Sequence, residues 1–307
     1  MKLKINLLIL LALVCSASSA QTISMYFPHF AGSEYVFFIN KGSQNDTIQA
    51  GTLGSDGRLS ITLPNKNNYI GMGHWMLNSG GGLSIVINKE DISVKCTEPT
   101  PNDNNIIFEG SDENLFIMNQ YFLQQQLLHK INLMDQGEKL YKKTDSIYPV
   151  FAKELAELNN SFESLQKETA QSNLYAAKYR RISDFLGGIG KRMYKPGEEA
   201  VRERDMLYFI TDELDMSVLY TSGLWNYVLS SSFEMYTDKD LWAADMVKIL
   251  KRTNSPVVYE SFANDILAIC ETNGLKNPED TIVAYLVKSK QIKNPQDAIL
   301  RAFQRKK

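Results

Sequence analysis

The sequence predicts an α+β protein: an N-terminal antiparallel β-sandwich or barrel followed by an all-α helical bundle. Three observations carry this. From Ile23 to Ile107, short runs of β-branched, aromatic and aliphatic residues are broken by Gly, Asn, Asp and Pro. No helical segment interrupts these runs, so strand follows strand at regular spacing, as in a sandwich or barrel. After Gly110-Ser111 the apolar period changes from two to about 3.6. The chain therefore divides into residues 1–20, a β-domain over 21–110 and a helical domain over 111–307.

The first twenty residues form a secretory signal. Met1-Lys2-Leu3-Lys4 is basic, Ile5 to Val14 is apolar apart from Asn6, and Ser18-Ser19-Ala20 supplies small residues before a cleavage site after Ala20. An apolar core of about ten residues is too short to span a bilayer. A lipid anchor at Cys15 is the alternative, opposed by Val14 where such signals carry a small residue. The expected location is periplasmic or otherwise extracytoplasmic, with no transmembrane segment after cleavage. Loss of Lys2 and Lys4 leaves 31 basic against 35 acidic side chains, which offers nothing to nucleic acid.

Eight strands are expected: Ile23 to Phe27, Tyr35 to Ile39, Thr47 to Leu53, Arg58 to Leu63, Tyr69 to Met76, Gly82 to Ile87, Ile92 to Cys96 and Ile106 to Glu109. Gly54-Ser55-Asp56-Gly57 suits a hairpin between the third and fourth, because Asp and Gly tolerate positive φ. Leu59, Ile61 and Leu63 alternate with Ser60 and Thr62, so one face is buried. Asn78 to Gly82 joins the next pair, and Thr97 to Asn105, with two prolines, is loop.

Asp112 is the expected N-cap of the first helix, with Phe116, Leu123, Leu127, Ile131 and Met134 on its apolar face. His129 falls near the opposite face, as a solvated residue. Phe151, Leu155, Leu158, Phe162 and Leu165 step by four and three, which suits an antiparallel helix pair. Tyr175, Tyr179, Ile182 and Phe185 lead to Gly187-Gly188-Ile189-Gly190, a helix end rather than a P-loop, since Phe185 and Arg192 stand where such a loop needs Gly and Ser or Thr. The acidic stretch Gly197 to Asp215 reads as one solvated helix surface. Trp225, Tyr227, Phe233 and Tyr236 are core residues or an aromatic ligand groove. Asn277-Pro278-Glu279-Asp280 and Asn294-Pro295-Gln296-Asp297 each read as a capped helix start, with Ile282 matching Ile299.

Chemistry-bearing motifs are sparse. His29, His74 and His129 lie at no metal spacing, and no nucleophile elbow, zinc helix or dinucleotide fingerprint is present. No catalytic, metal or cofactor-binding residue is assigned. Cys96 and Cys270, 174 positions apart in different domains, are either a long-range pair or two buried free thiols.

Asp56-Gly57-Arg58-Leu59-Ser60-Ile61, together with Gly110-Ser111 and Asn114, carries one resemblance. The region from about 22 to 118 resembles the amino-terminal β-domain of unknown function in secreted thioredoxin-like proteins of the Bacteroidota, grouped as peroxiredoxin-type or thiol-disulfide oxidoreductases. In that family a helical region and a thioredoxin domain with Cys-x-x-Cys follow. This sequence carries the first two parts and no Cys-x-x-Cys, so no family site residue transfers. The resemblance implies a non-catalytic binding or accessory protein of the cell envelope, with an envelope protein as partner and a binding surface where the two domains meet. A component of a thiol-disulfide redox system whose thioredoxin domain sits on another chain or has been lost is the alternative. A hydrolase is a third.

Overall fold

A computed structural model describes residues 21–63 and 69–306. The expected signal peptide, Cys15 included, lies outside the described residues. All eight expected strands form: β1 (Thr22–Tyr26), β2 (Glu34–Lys41), β3 (Gln44–Thr52), β4 (Arg58–Thr62), β5 (Ile70–Leu77), β6 (Gly82–Asn88), β7 (Ile92–Lys95) and β8 (Ile107–Glu109). They build two four-stranded sheets, ordered β4-β1-β7-β8 and β3-β2-β5-β6. Two details differ from the expectation.

The sandwich is not wholly antiparallel, because β1 and β7 run parallel, with Ile23 opposite Ile92. β7 enters its sheet from the other one, after Lys89 turns the chain at φ 62°, so no hairpin forces its direction. The Asp-Gly turn is also not a hairpin between paired strands. β3 and β4 belong to different sheets, and β4 pairs with β1, Thr62 opposite Thr22. The turn carries the chain across the sandwich, with Asp56 Oδ1 accepting from the Arg58 N–H at 3.0 Å. Gly57 is required there: its φ is +75°, and a Cβ would lie 2.5 Å from the Phe27 carbonyl oxygen.

Ile23, Phe27, Phe37, Ile61, Ile85 and Ile87 fill the space between the sheets. The second sheet also has a covered outer face, where Met72 and Val86 join the helical core beside Leu219 and Trp225. It is the middle of three layers, which is why Ile85-Val86-Ile87 is buried without alternation.

Among the described residues ten α-helices follow: α1 (Asp112–Leu140), α2 (Tyr148–Gln171), α3 (Tyr175–Leu186), α4 (Glu199–Tyr208), α5 (Met216–Thr221), α6 (Trp225–Met235), α7 (Lys239–Arg252), α8 (Pro256–Thr272), α9 (Lys276–Ser289) and α10 (Asp297–Arg305). None is long and apolar enough to cross a membrane. α1 and α2 form the expected antiparallel pair, with Tyr141 stacked on Phe151 at the tip and Ile131, Leu158 and Phe162 in a small core of their own.

Several helix details correct the sequence reading. Ser111, not Asp112, caps α1: it has extended dihedrals and its hydroxyl accepts from the Asn114 N–H. Leu123 is exposed, because Gln124 and Ile131 take the inner face instead. The acidic stretch is not one helix. α4 passes into a π-helical turn, Phe209–Glu213, whose carbonyls at Ile210 and Thr211, with that of Leu214, accept from the Arg252 guanidinium. Asp215 then caps α5. Neither Asn277 nor Asn294 is a cap. α9 starts two residues early, after Leu275, and α10 starts late, after Gln296, so Ile282 and Ile299, both buried, fall at different helical positions. Tyr227 is 67% exposed, unlike Trp225 and Tyr236.

Candidate functional site

Sheet and helices meet at a junction tied by side-chain hydrogen bonds. Asn114 Oδ1 accepts from the Val86 N–H and its Nδ2 donates to the Val86 carbonyl, both at 2.8 Å, so a side chain completes the edge strand β6. Glu113, 1% exposed, accepts from the Tyr175 and Ala176 N–H groups at 3.1 and 2.7 Å and from Asn88 Nδ2 at 2.6 Å. Its carboxylate thereby caps α3 at the positive end of that helix. Gly110, φ +77°, makes the preceding turn, where a Cβ would meet the Asp91 carbonyl oxygen at 2.8 Å. On the other side of the junction the Gly42 N–H donates to the Tyr220 carbonyl at 2.7 Å, and the Tyr69 hydroxyl donates to Thr221 at 3.1 Å. The residues that carry the family resemblance are thus structural.

Openings lie instead beside the α1–α2 pair. Under it, Asp184 of α3 is buried and takes hydrogen bonds from Gln124 of α1 at 3.1 Å, Gln166 of α2 at 3.2 Å and Arg180 Nε at 3.0 Å. Burial raises its carboxyl above the usual aspartate range despite Arg180 and the two glutamines. A cavity of about 90 Å³ adjoins it. The ionic groups that line the cavity are already paired, Arg181 with Glu213 and Lys191 with Asp205 at 3.0 Å. The Tyr194 hydroxyl donates to Asp205 at 2.8 Å, and burial followed by that hydrogen bond pushes it up to about 12. No free acid, base or nucleophile faces this space.

The larger opening is a cleft of about 790 Å³ between the α1–α2 pair and the segment 193–202. Leu128, Ile131, Leu155, Met193 and Pro196 make its floor apolar, and Ala152 and Ala156, one turn apart on α2, leave room close to the helix backbone. Charges of both signs stand at its rim, Asp135, Lys139, Lys195 and Arg202 among them. Asn159 lines the cleft with its Oδ1 shielded from solvent and without a donor. A buried acceptor left open costs about 1–3 kcal/mol. The volume is that of a ligand pocket.

The residues singled out in the sequence do not converge on either space. His29 is exposed, with Nε2 at 3.0 Å from the Thr97 carbonyl. His74, on β5, lies between Asn40 Nδ2 at 2.7 Å and Ser84 Oγ at 2.9 Å and stacks on Phe38, and burial lowers its pKa. His129 is exposed on α1. No group of three or more His, Cys, Asp or Glu is placed to hold a metal among the described residues. Cys96 and Cys270 are separate buried free thiols, one in each core. The glycine cluster ends α3 at Gly187, and the Gly188 carbonyl accepts from Arg202 at 2.7 Å. Asn159, Gln124, Gln166 and Asp184 escaped the sequence reading because a polar residue inside a helix looks solvated until its neighbours are known. One signal was legible: Asn114 to Leu128 contains no charged side chain.

No protein family matches the chain, and neither the curated proteins nor the solved structures contain a match to it.

Proposed function

We propose that this chain is a non-catalytic binding or accessory protein of an extracytoplasmic compartment, the address to which its first twenty residues point. Its ligand is a short apolar peptide segment of another envelope protein, held in the cleft between the α1–α2 pair and residues 193–202. The observation that carries this reading is the cleft itself, about 790 Å³ in volume with Leu128, Ile131, Leu155, Met193 and Pro196 on its floor. A peptide fits this lining: apolar side chains for Leu128, Ile131 and Leu155, and a slim main chain over Ala152 and Ala156. The resemblance at Asp56-Gly57 and Gly110-Ser111 makes a thiol-disulfide protein the first candidate partner.

The test is site-specific photo-crosslinking in cells, with a benzophenone side chain at Ala156 or, as control, at Leu300, which is exposed on α10. Crosslinking to a defined protein from position 156, lost on Leu155→Glu and absent from position 300, is the expected result. Equal yields from both positions, or yields indifferent to Leu155→Glu, contradict the reading.

A further inference from the structure

We infer that the protein is a two-fold dimer, built by pairing α1 antiparallel with α1 of a second copy. Nine of the eighteen large apolar side chains left exposed among the described residues lie between Leu115 and Val150. Single exposed apolar residues are ordinary, but a contiguous line of them marks an interface. Leu115, Phe122, Leu133 and Leu140 form a line on one face of α1, 41%, 52%, 60% and 78% exposed, with uncharged polar residues between them. At the helical advance of 100° per residue they fall within about 20° of one another, on the side opposite Gln124 and Ile131. The line runs about 37 Å along the helix. Helix α2 lies to one side of it, facing Leu123 and Leu127 across a groove, and the 790 Å³ cleft lies to the other, so the line itself is free.

The order of residues along this line identifies the occupant. Its spacing is the same from either end: Leu115 and Leu140 are equidistant from a point between Leu127 and Leu128, and so are Phe122 and Leu133. A two-fold axis through that point, perpendicular to the helix, sets Leu115 against Leu140 of the second copy and Phe122 against Leu133 of the second copy. The polar residues of the line follow the same symmetry, Asn119 against Gln136 and Gln126 against His129, all exposed and none of them carboxylate or ammonium. The N-terminus of each α1 meets the C-terminus of the other, which suits both helix dipoles. Self-complementarity of this kind is what an isologous interface demands, since residue i must meet j while j meets i. An unrelated partner imposes no such symmetry. The helix, 29 residues long, is of the three-to-four-heptad length that sustains helix pairing. The inference does not depend on the cleft.

The test uses the expressed chain carrying Cys15→Ser, with mass measured by light scattering across a concentration series and single cysteines placed on the line. The native Cys96 and Cys270 are buried and do not interfere. A dimer is expected, with Phe122→Glu monomeric at every concentration where the parent is dimeric and its circular dichroism unchanged. Under mild oxidation Leu115→Cys alone and Leu140→Cys alone stay uncrosslinked, and an equal mixture of the two crosslinks. A parent that is monomeric throughout, a dimer indifferent to Phe122→Glu, or crosslinking of either single variant with itself overturns the inference.

Discussion

The side-chain amide of Asn114 forms a two-bonded ring with the backbone of Val86, donating to its carbonyl and accepting from its N–H, both at 2.8 Å. β6 is the edge of the second sheet, and this ring supplies the neighbour it lacks. Asn114→Ala leaves both groups of Val86 buried without partners, and the expected loss is about 2–4 kcal/mol. Asn114→Asp keeps the acceptor but sets a carboxylate against the Val86 carbonyl, so it is expected to cost at least as much. Urea unfolding of the three proteins measures both.

The Arg180–Asp184 pair is 9% and 7% exposed at its side chains. Removing one partner strands a buried charge, and Arg180→Met is expected to cost about 3–5 kcal/mol. The double variant Arg180→Met with Asp184→Leu is expected to recover most of that, because Gln124 and Gln166 are then the only groups left without their hydrogen bonds. A double-mutant cycle reads the coupling directly.

The two aspartates at positions 184 and 215 give opposite pH slopes. Burial works to raise Asp215, but Lys178 Nζ at 2.9 Å and the Val218 and Ser217 N–H groups outweigh it and hold the carboxyl below the usual range. Its stabilisation is present above the unfolded value of about 3.9 and is lost as pH falls through the lower folded value. Asp184 is raised, so its contribution is greatest below the unfolded value and declines as pH rises through the folded one. Asp215→Asn keeps the cap acceptor and is expected to flatten the acid limb of stability, measured by unfolding between pH 2 and 6, a range that brackets about 3.9.

Cys270 is fully buried, and desolvation, then Glu279, pushes its thiol up to about 12. Cys96 is 1% exposed, its Sγ 3.3 Å from Asn105 Oδ1. The expected outcome is that neither alkylates in the folded protein at neutral pH and both do so after unfolding, as peptide mass spectrometry reads. The folded protein is likewise expected to leave insulin unreduced.

The fold was largely legible because its signals are local. Alternation marked β4 through Leu59, Ile61 and Leu63, and the heptad-like steps from Phe151 to Leu165 marked α2. What was not legible depends on distant partners. Nothing near Asp56-Gly57 says that β4 leaves β3 for β1, since that choice is made by Thr22 to Tyr26 more than thirty residues earlier. Ser111 and Asp112 are equally good caps by type, and only the turn at Gly110 decides between them. The cleft was hidden for the same reason: Asn159 and Met193 meet only once α2 and the segment after α3 are in place.

Ser111 to Asn114 weld the sandwich to the helices through the hydrogen bonds of Glu113 and Asn114. Native-state hydrogen exchange in a urea series tests it most directly, read on peptides covering Ile85 to Ile87 of the middle sheet and Phe262 to Leu267 of α8, both buried. A welded structure opens both segments with the same free energy and the same urea dependence, and the two separate in the Glu113→Gln, Asn114→Ala variant. Independent opening of the two segments in the parent protein contradicts the account.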